Sequence, residues 1–208
     1  MSGAAGPARG RFITLEGGEG AGKSTQARLL AGRLRAAGRD VVQTREPGGA
    51  PGAEVIRGLL LSGEVDWSLP AETLLHVAAR AEHVERTIRP ALARGAWVVC
   101  DRFHDSTMVY QGHGQGGDRA AIATLGRMLG IVPDLTLVLD VPVDVSIARM
   151  RARGAAADRY ERLGTAFFAR VRQGFLDVAA AEAGRCVVVD ASGDVDAVAA
   201  AVWGVVSD

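Results

Sequence analysis

Gly17-Gly18-Glu19-Gly20-Ala21-Gly22-Lys23-Ser24 decides the architecture of this 208-residue chain. The run reads as a glycine, four residues, then Gly-Lys-Ser. In that spacing backbone N–H groups wrap phosphate oxygens while the lysine reaches the outer phosphates. Lys23 is the only lysine in the sequence, and apart from four histidines every other basic side chain is arginine. A position that keeps an ammonium among so many guanidinium groups calls for a compact point charge on a mobile stem, not a planar fork. The flanks agree. Arg11–Glu16 is a short apolar run that ends where the glycines start, and Ala27, Leu30, Ala31 and Leu34 then recur at helical spacing up to Gly38, a fitting C-terminal cap. Strand, glycine loop and helix in that order turn backbone N–H groups and the positive end of a helix dipole toward bound phosphates. Gly17–Ser24 and Thr25 are therefore expected to bind a nucleoside triphosphate, with the Ser24 hydroxyl offered to Mg²⁺.

The rest of the composition narrows the class. Length predicts a single domain over 11–208, preceded by a flexible, small-residue segment at 1–10. Basic and acidic residues balance at 24 each and no basic block occurs, so nucleic acid is not expected as a partner. No apolar stretch nears the roughly 18 residues of a membrane span, and no secretory signal pattern is present. Cys100 and Cys186 each sit in an apolar run and read as buried strand residues, which suits a reducing, cytoplasmic setting.

Five β-rich runs, at Phe12–Leu15, Asp40–Thr44, Trp97–Cys100, Leu135–Asp140 and Cys186–Asp190, alternate with helical patterns. The clearest helices cover Pro70–Arg94, Arg119–Gly130, Val143–Arg153, Ala166–Ala183 and Val195–Val206. Continuous apolar strands between helices predict an α/β fold, a parallel sheet with helices on both faces. Its ligand crevice then lies at the carboxyl ends of the strands, where the polar motifs would converge.

A phosphate loop alone leaves GTPases, ATPases, motors and small kinases open. Three further stretches select among them: Thr44-Arg-Glu-Pro-Gly-Gly49 with Arg57 after it, Leu74-Leu-His-Val-Ala-Ala-Arg80, and Asp101-Arg102-Phe-His-Asp-Ser-Thr107-Met-Val-Tyr110-Gln111-Gly112. With the loop, in this order and over nearly the whole chain, they resemble the bacterial thymidylate kinases. The resemblance implies a P-loop kinase fold with a five-stranded parallel sheet and a short lid. It also implies a homodimer that uses ATP and Mg²⁺ to phosphorylate dTMP to dTDP for dTTP synthesis.

Carried onto these positions, the resemblance assigns roles that physical chemistry makes reasonable. Phosphoryl transfer between two polyanions needs cations around both. Lys23 and the loop amides would hold the donor. Arg57 and Arg102 would grip the acceptor phosphate, where a guanidinium fork suits phosphate oxygens; Glu46 and Pro47 would line the same side. Asp101 either serves Mg²⁺, directly or through water, or orients Arg102. Glu19 is expected near the acceptor sugar or the metal, and Glu16 simply completes the strand end. Arg80 would donate to a thymine oxygen, Thr107 and Gln111 would complete the polar contacts to the base, and Tyr110 would pack where a 2′-hydroxyl would fall. His76 stands where the family commonly stacks a phenylalanine on the base. If it stacks, protonation near its ordinary pKa of about 6.5 should weaken the contact.

Arg149–Arg162 is arginine-rich around Gly154–Ala157, and it matches the lid of the family, at about 149–162. The phosphate loop carries no arginine, so a lid arginine, Arg153 or Arg159, would meet the transition-state charge. Asp190-Ala191-Ser192 is expected near the adenine. The rivals are a kinase of another monophosphate or of a deoxynucleoside, and a non-catalytic nucleotide-binding module. A GTPase is disfavoured because Asn-Lys-x-Asp cannot occur in a chain whose one lysine is Lys23.

Overall fold

Phe12–Glu16 forms the middle strand, β1, of a five-stranded parallel sheet in the computed structural model, which describes residues 9–153 and 164–207. The other strands are β2 (Val41–Arg45), β3 (Trp97–Asp101), β4 (Leu135–Asp140) and β5 (Cys186–Asp190), in the order β2-β3-β1-β4-β5. The expected strands agree with these to within a residue or so at each end. Most of the expected N-terminal segment at 1–10 lies outside the described residues.

Side chains alternate across a strand, and β1 is buried on both faces. Ile13 and Leu15 enter a core built with α1 (Lys23–Ala36) and α9 (Val195–Ser207). Phe12, Thr14 and Glu16 face the opposite layer. There Phe12 meets Phe103 edge to face at 5.0 Å, beside Val84, Ile88 and Leu92. Burying an aromatic side chain of that size stabilises the fold by about 1.5–3 kcal/mol. The same layer holds α3 (Leu69–His83), which continues through a π-helical stretch, Val84–Ile88, into α4 (Arg89–Ala93). The single helix expected over Pro70–Arg94 is thus one helical rod with a wider turn in it. Farther along, α8 (Gly164–Ala181) lays Phe167, Val171 and Phe175 against Tyr110 and Val138.

Gly38 ends α1 as expected. Its φ is +80°, its N–H donates to Arg35, and the next amide, Arg39, reaches Leu34, the paired bonds of a Schellman cap. Three elements carry no strong sequence pattern: α2 (Pro51–Leu61), the short α5 (His104–Thr107), and a π-helical Met108–Gly114. In α2 only Ala53 and Leu60 are buried, so its apolar stripe is too sparse to read. Two further helices complete the order. α6 (Arg119–Met128) starts at Asp118, whose carboxylate caps Ala120 and Ala121, and α7 (Val143–Arg153) follows β4. Among the described residues no helix is long and apolar enough to cross a membrane.

Candidate active site

The loop between β1 and α1 is shaped by glycines that no other residue could replace. A Cβ on Gly17 would come within 2.5 Å of the Leu139 carbonyl, and one on Gly20 within 2.6 Å of the Ser146 carbonyl; both have positive φ, as does Gly22. From the α7 side, Ser146 Oγ donates to Glu19 O at 2.6 Å and fixes the loop's outer turn. Lys23 begins α1 and folds back, its Nζ donating to Gly17 O at 3.1 Å and to Gly18 O at 2.7 Å. Burial, then the nearby Arg102 charge, pulls its pKa down to about 8.

Beside it the end of β3 supplies Asp101. Register pairing of Leu15 with Asp101 brings the carboxylate to the loop, where Ser24 Oγ donates to Asp101 Oδ2 at 2.5 Å. Asp101 Oδ1 is buried without a hydrogen-bond partner. A hydroxyl, a carboxylate and a spare oxygen together form the oxygen-only set that a hard divalent cation such as Mg²⁺ takes alongside phosphate and water. Among the described residues there is no cluster of three or more His, Cys, Asp or Glu that could cage a metal unaided.

Arg102 follows with φ at +71°, the only non-glycine residue described in the left-handed region. That turn swings its guanidinium back over the loop. Nη2 pairs with Glu19 and donates to Tyr110 Oη at 3.1 Å, Nη1 donates to Ser106 Oγ at 3.1 Å, and the group stacks 4.8 Å above the Tyr110 ring. Burial opposes its charge, but Glu19, with Tyr110, Asp101 and Glu16, outweighs burial and holds the pKa well above the ordinary arginine value. Tyr110 Oη also donates to Glu19 at 3.0 Å.

The far wall carries Arg80 on α3. Its Nε donates to Glu46 Oε2 at 2.6 Å, and its Nη2 donates to Phe103 O and to Thr107 Oγ1 at 3.1 and 3.0 Å. Nη1 is buried without a protein partner. Glu46 also takes His83 Nδ1 at 3.0 Å, and it precedes Pro47 through a cis peptide. Pro47 O accepts from Arg57 Nη1 at 2.7 Å. Burial, then the neighbouring Arg45, lowers the Arg57 pKa. Gln111 is buried and donates to Glu72 at 2.8 Å.

His76, one turn before Arg80, faces the same space. Burial, then the Arg80 charge, pushes its pKa down to about 4. This corrects the expectation of a titration near 6.5: the imidazole is neutral across the physiological range.

Most of these groups line one cavity of about 640 Å³, in the size class of small-molecule sites. Its walls include Glu19, Gly20, Gly22, Lys23, Ser24 and Thr25 from the loop side, with Asp101 and Arg102 between the two ends. Glu46, Pro47, Arg57, His76, Arg80, Thr107, Tyr110 and Gln111 line the remainder. Gly17, Gly18 and Ala21 form the back of the loop. The glycine-rich phosphate loop and a wall lined by guanidinium groups thus share one space.

A family model described as thymidylate kinase matches residues 15–202. The chain belongs to the thymidylate kinase family. A thymidylate kinase of Caulobacter vibrioides is 57% identical over 201 residues, spanning 95% of this chain and 96% of its own. One from Gluconobacter oxydans is 55% identical over 197 residues, covering 93% and 92% of the two chains. The crystal structure of the Ehrlichia chaffeensis thymidylate kinase superposes with a TM-score of 0.79 at 36% identity, over 96% of this chain and 99% of that one.

Within this thymidylate kinase scaffold, several residues at the site had no role in the sequence reading. Ser106 bridges Arg102 and Glu16; its fixed place between Arg102 and Tyr110 in the motif was the available signal. Ser146 gave none. Arg149, which the sequence reading gave only as the start of the lid stretch, donates to the carbonyls of Ala191, Ser192 and Gly193 at 2.8–3.0 Å and so ties α7 to the loop after β5. Arg153 ends α7; its side chain and the whole of Arg159 lie outside the described residues.

Proposed function

We propose that this enzyme transfers the γ-phosphoryl group of ATP to dTMP, giving ADP and dTDP, with the cavity above as its active centre. The observation that carries the reading is the Arg80 side chain. Three protein acceptors fix two of its nitrogens, and the third is left as a buried donor facing no protein partner, in the same cavity as the phosphate loop. An oxygen of thymine satisfies that donor; the amino group of cytosine does not. Thr107 and Gln111 sit beside it to complete recognition of the base, with His76 stacking as a neutral ring.

Lys23, the loop amides and Thr25 hold the donor phosphates. Arg102 and Arg57 hold the acceptor phosphate in line, Glu46 and Pro47 brace that half, and Tyr110 closes the sugar side. Ser24 and Asp101 would hold Mg²⁺, directly or through water, and the ion supplies charge neutralisation at the donor phosphates. No side chain acts as a nucleophile; positioning and charge carry the rate. The segment at about 149–162 acts as a lid, with Arg153 or Arg159 brought to the transferring group. Substituting Arg153 then lowers turnover more than dTMP affinity.

The enzyme works as a homodimer in the reducing cytoplasm. Exposed Val55 and Leu59 on α2, Leu74 on α3 and Met128 on α6 lie on helices joined through α3, which packs against both of the others, and support a second copy as their cover. Light scattering giving only the monomer mass would overturn the dimer. The buried free thiols Cys100 and Cys186 support the compartment. The deciding experiment is a coupled ADP-release assay with ATP, Mg²⁺ and each common nucleoside monophosphate in turn. dTMP should exceed every other acceptor by about tenfold or more in kcat/KM; equal rates would overturn the substrate assignment.

A further inference from the structure

Glu16 is the last residue of β1 and is fully buried, yet the chemistry above makes no use of it. It shares a strand face with Phe12 and Thr14, opposite the face that packs on α1, and lies under the Asp101–Ser106 turn. There its Oε1 accepts from Phe103 N at 2.7 Å and from Ser106 N at 3.3 Å, and Oε2 accepts from Ser106 Oγ at 2.6 Å.

Each of those contacts bears on Arg102. The Phe103 amide is the first group after the left-handed residue. The Ser106 hydroxyl is the acceptor for Arg102 Nη1. Two more contacts pin the same residue from the strands: Arg102 N donates to Leu15 O at 3.0 Å, and Cys100 Sγ donates to Arg102 O at 3.0 Å. A left-handed arginine costs roughly 1–2 kcal/mol relative to a right-handed one, so this backbone persists only because its neighbours over-determine it. Glu16 is the one group that grips both the backbone after the bend and the hydroxyl that aims the guanidinium.

We propose that Glu16 is a positioning residue for Arg102, setting through Ser106 and the Phe103 amide the direction from which the guanidinium meets the acceptor phosphate. This rests on the reading of Arg102 as an acceptor-phosphate ligand. Glu16 does not line the cavity. Its removal leaves the donor half, held by Lys23 and the loop amides, in place.

The test is steady-state kinetics with dTMP and ATP on the full chain for Glu16→Ala, Glu16→Gln, Ser106→Ala and Arg102→Ala, and for Glu16→Ala and Ser106→Ala each combined with Arg102→Ala. Glu16→Ala should raise the KM for dTMP about tenfold while the KM for ATP stays within about twofold. Glu16→Gln keeps an acceptor for both amides and a polar atom opposite Ser106, so it should restore most of the loss. In the Arg102→Ala background neither Glu16→Ala nor Ser106→Ala should cost anything further, because residues acting through one group are non-additive. Additive losses, or equal losses toward both substrates, would overturn the proposal. Should Glu16→Ala fail to fold, the cycle between Ser106→Ala and Arg102→Ala decides by the same criterion. If Arg102→Ala itself leaves dTMP kinetics unchanged, the acceptor-site reading fails first and separately.

Discussion

Arg80 Nε lies 2.6 Å from Glu46 Oε2, an ion pair in which neither side chain is more than 4% exposed. At that depth the pair is an obligation for the fold as much as a support. Taking away one partner leaves a charge in a low-dielectric interior, a loss of about 3–5 kcal/mol. Glu46→Ala should accordingly lower the unfolding free energy by about that amount in urea titrations, with His83 losing its acceptor as well. A loss below about 1 kcal/mol would mean that water reaches Arg80.

Lys23→Ala removes the one ammonium that the phosphate loop holds in place. Its partners are loop carbonyls, Gly17 O and Gly18 O, so little of the fold depends on it. Turnover should fall by at least about 10²-fold, the scale of losing a preorganised charge at a reacting phosphate. The thermal transition should be nearly unmoved. Turnover within tenfold of the parent would remove Lys23 from the mechanism.

At Arg102 backbone and side chain can be separated. Glycine accepts φ near +71° without cost and alanine does not, so Arg102→Gly should be about 1 kcal/mol more stable than Arg102→Ala. Both should lose dTMP turnover to the same extent. A stability difference of the opposite sign would show that the bend relaxes when the guanidinium is gone.

His76, His104 and Glu16 give the pH dependence below about 8 a definite shape. His76 and His104 are each pushed down to about 4, by burial first and then by the Arg80 charge. The unfolded chain therefore binds more protons between about 4 and 6.5, and stability falls as the pH is lowered through that window. Glu16 is pushed up to about 8, by burial first and then by Asp105; Arg102 and the hydrogen bonds from Ser106 and Phe103 oppose this. Here the folded chain binds the extra proton, so stability falls as the pH rises from about 4.5 to 8. The contributions partly cancel below 6.5 and leave Glu16 alone above it, so these groups together favour a maximum near pH 6.5. Urea midpoints across pH 5–9 should show the alkaline decline flattened in Glu16→Gln.

His76→Phe enlarges the aromatic face that the proposed reading sets beside the base. dTMP affinity should hold or tighten, and in the parent enzyme the dTMP KM should show no step near pH 6.5, because His76 is already neutral there. A collapse of binding in His76→Phe would mean that the imidazole makes a specific polar contact.

The phosphate loop, the five strands and the Gly38 cap were legible because each is a local pattern: glycine spacing, apolar runs, a left-handed stop. The arginines that line the cavity were legible only through motif resemblance, since Arg57, Arg80 and Arg102 are not distinguished by type from the other arginines of the chain. Ser146 was not legible at all, and for Ser106, the partner of Glu16, motif spacing was the one signal and its contacts were not foreseen. Their significance comes from contacts across 127 and 90 positions of sequence, fixed by strand order and by the π-helical turns, and no periodicity encodes those. Burial likewise decided the state of His76, since an imidazole on an amphipathic helix looks the same in sequence whether it titrates at 4 or at 6.5.

The pairing of Leu15 with Asp101, and the bond from Arg102 N to Leu15 O, make the offset between the start of the phosphate loop and the Asp101–Arg102 turn a spacing of the sheet itself. Adjacent strands lie about 4.8 Å apart whatever side chains they carry. The main chain thus serves as a fixed gauge between the phosphate cradle and the Asp101–Arg102 turn. Substitution can change what each half of the cavity grips, and insertions in α2 can reshape its wall. The distance the two halves keep from each other is out of reach of either.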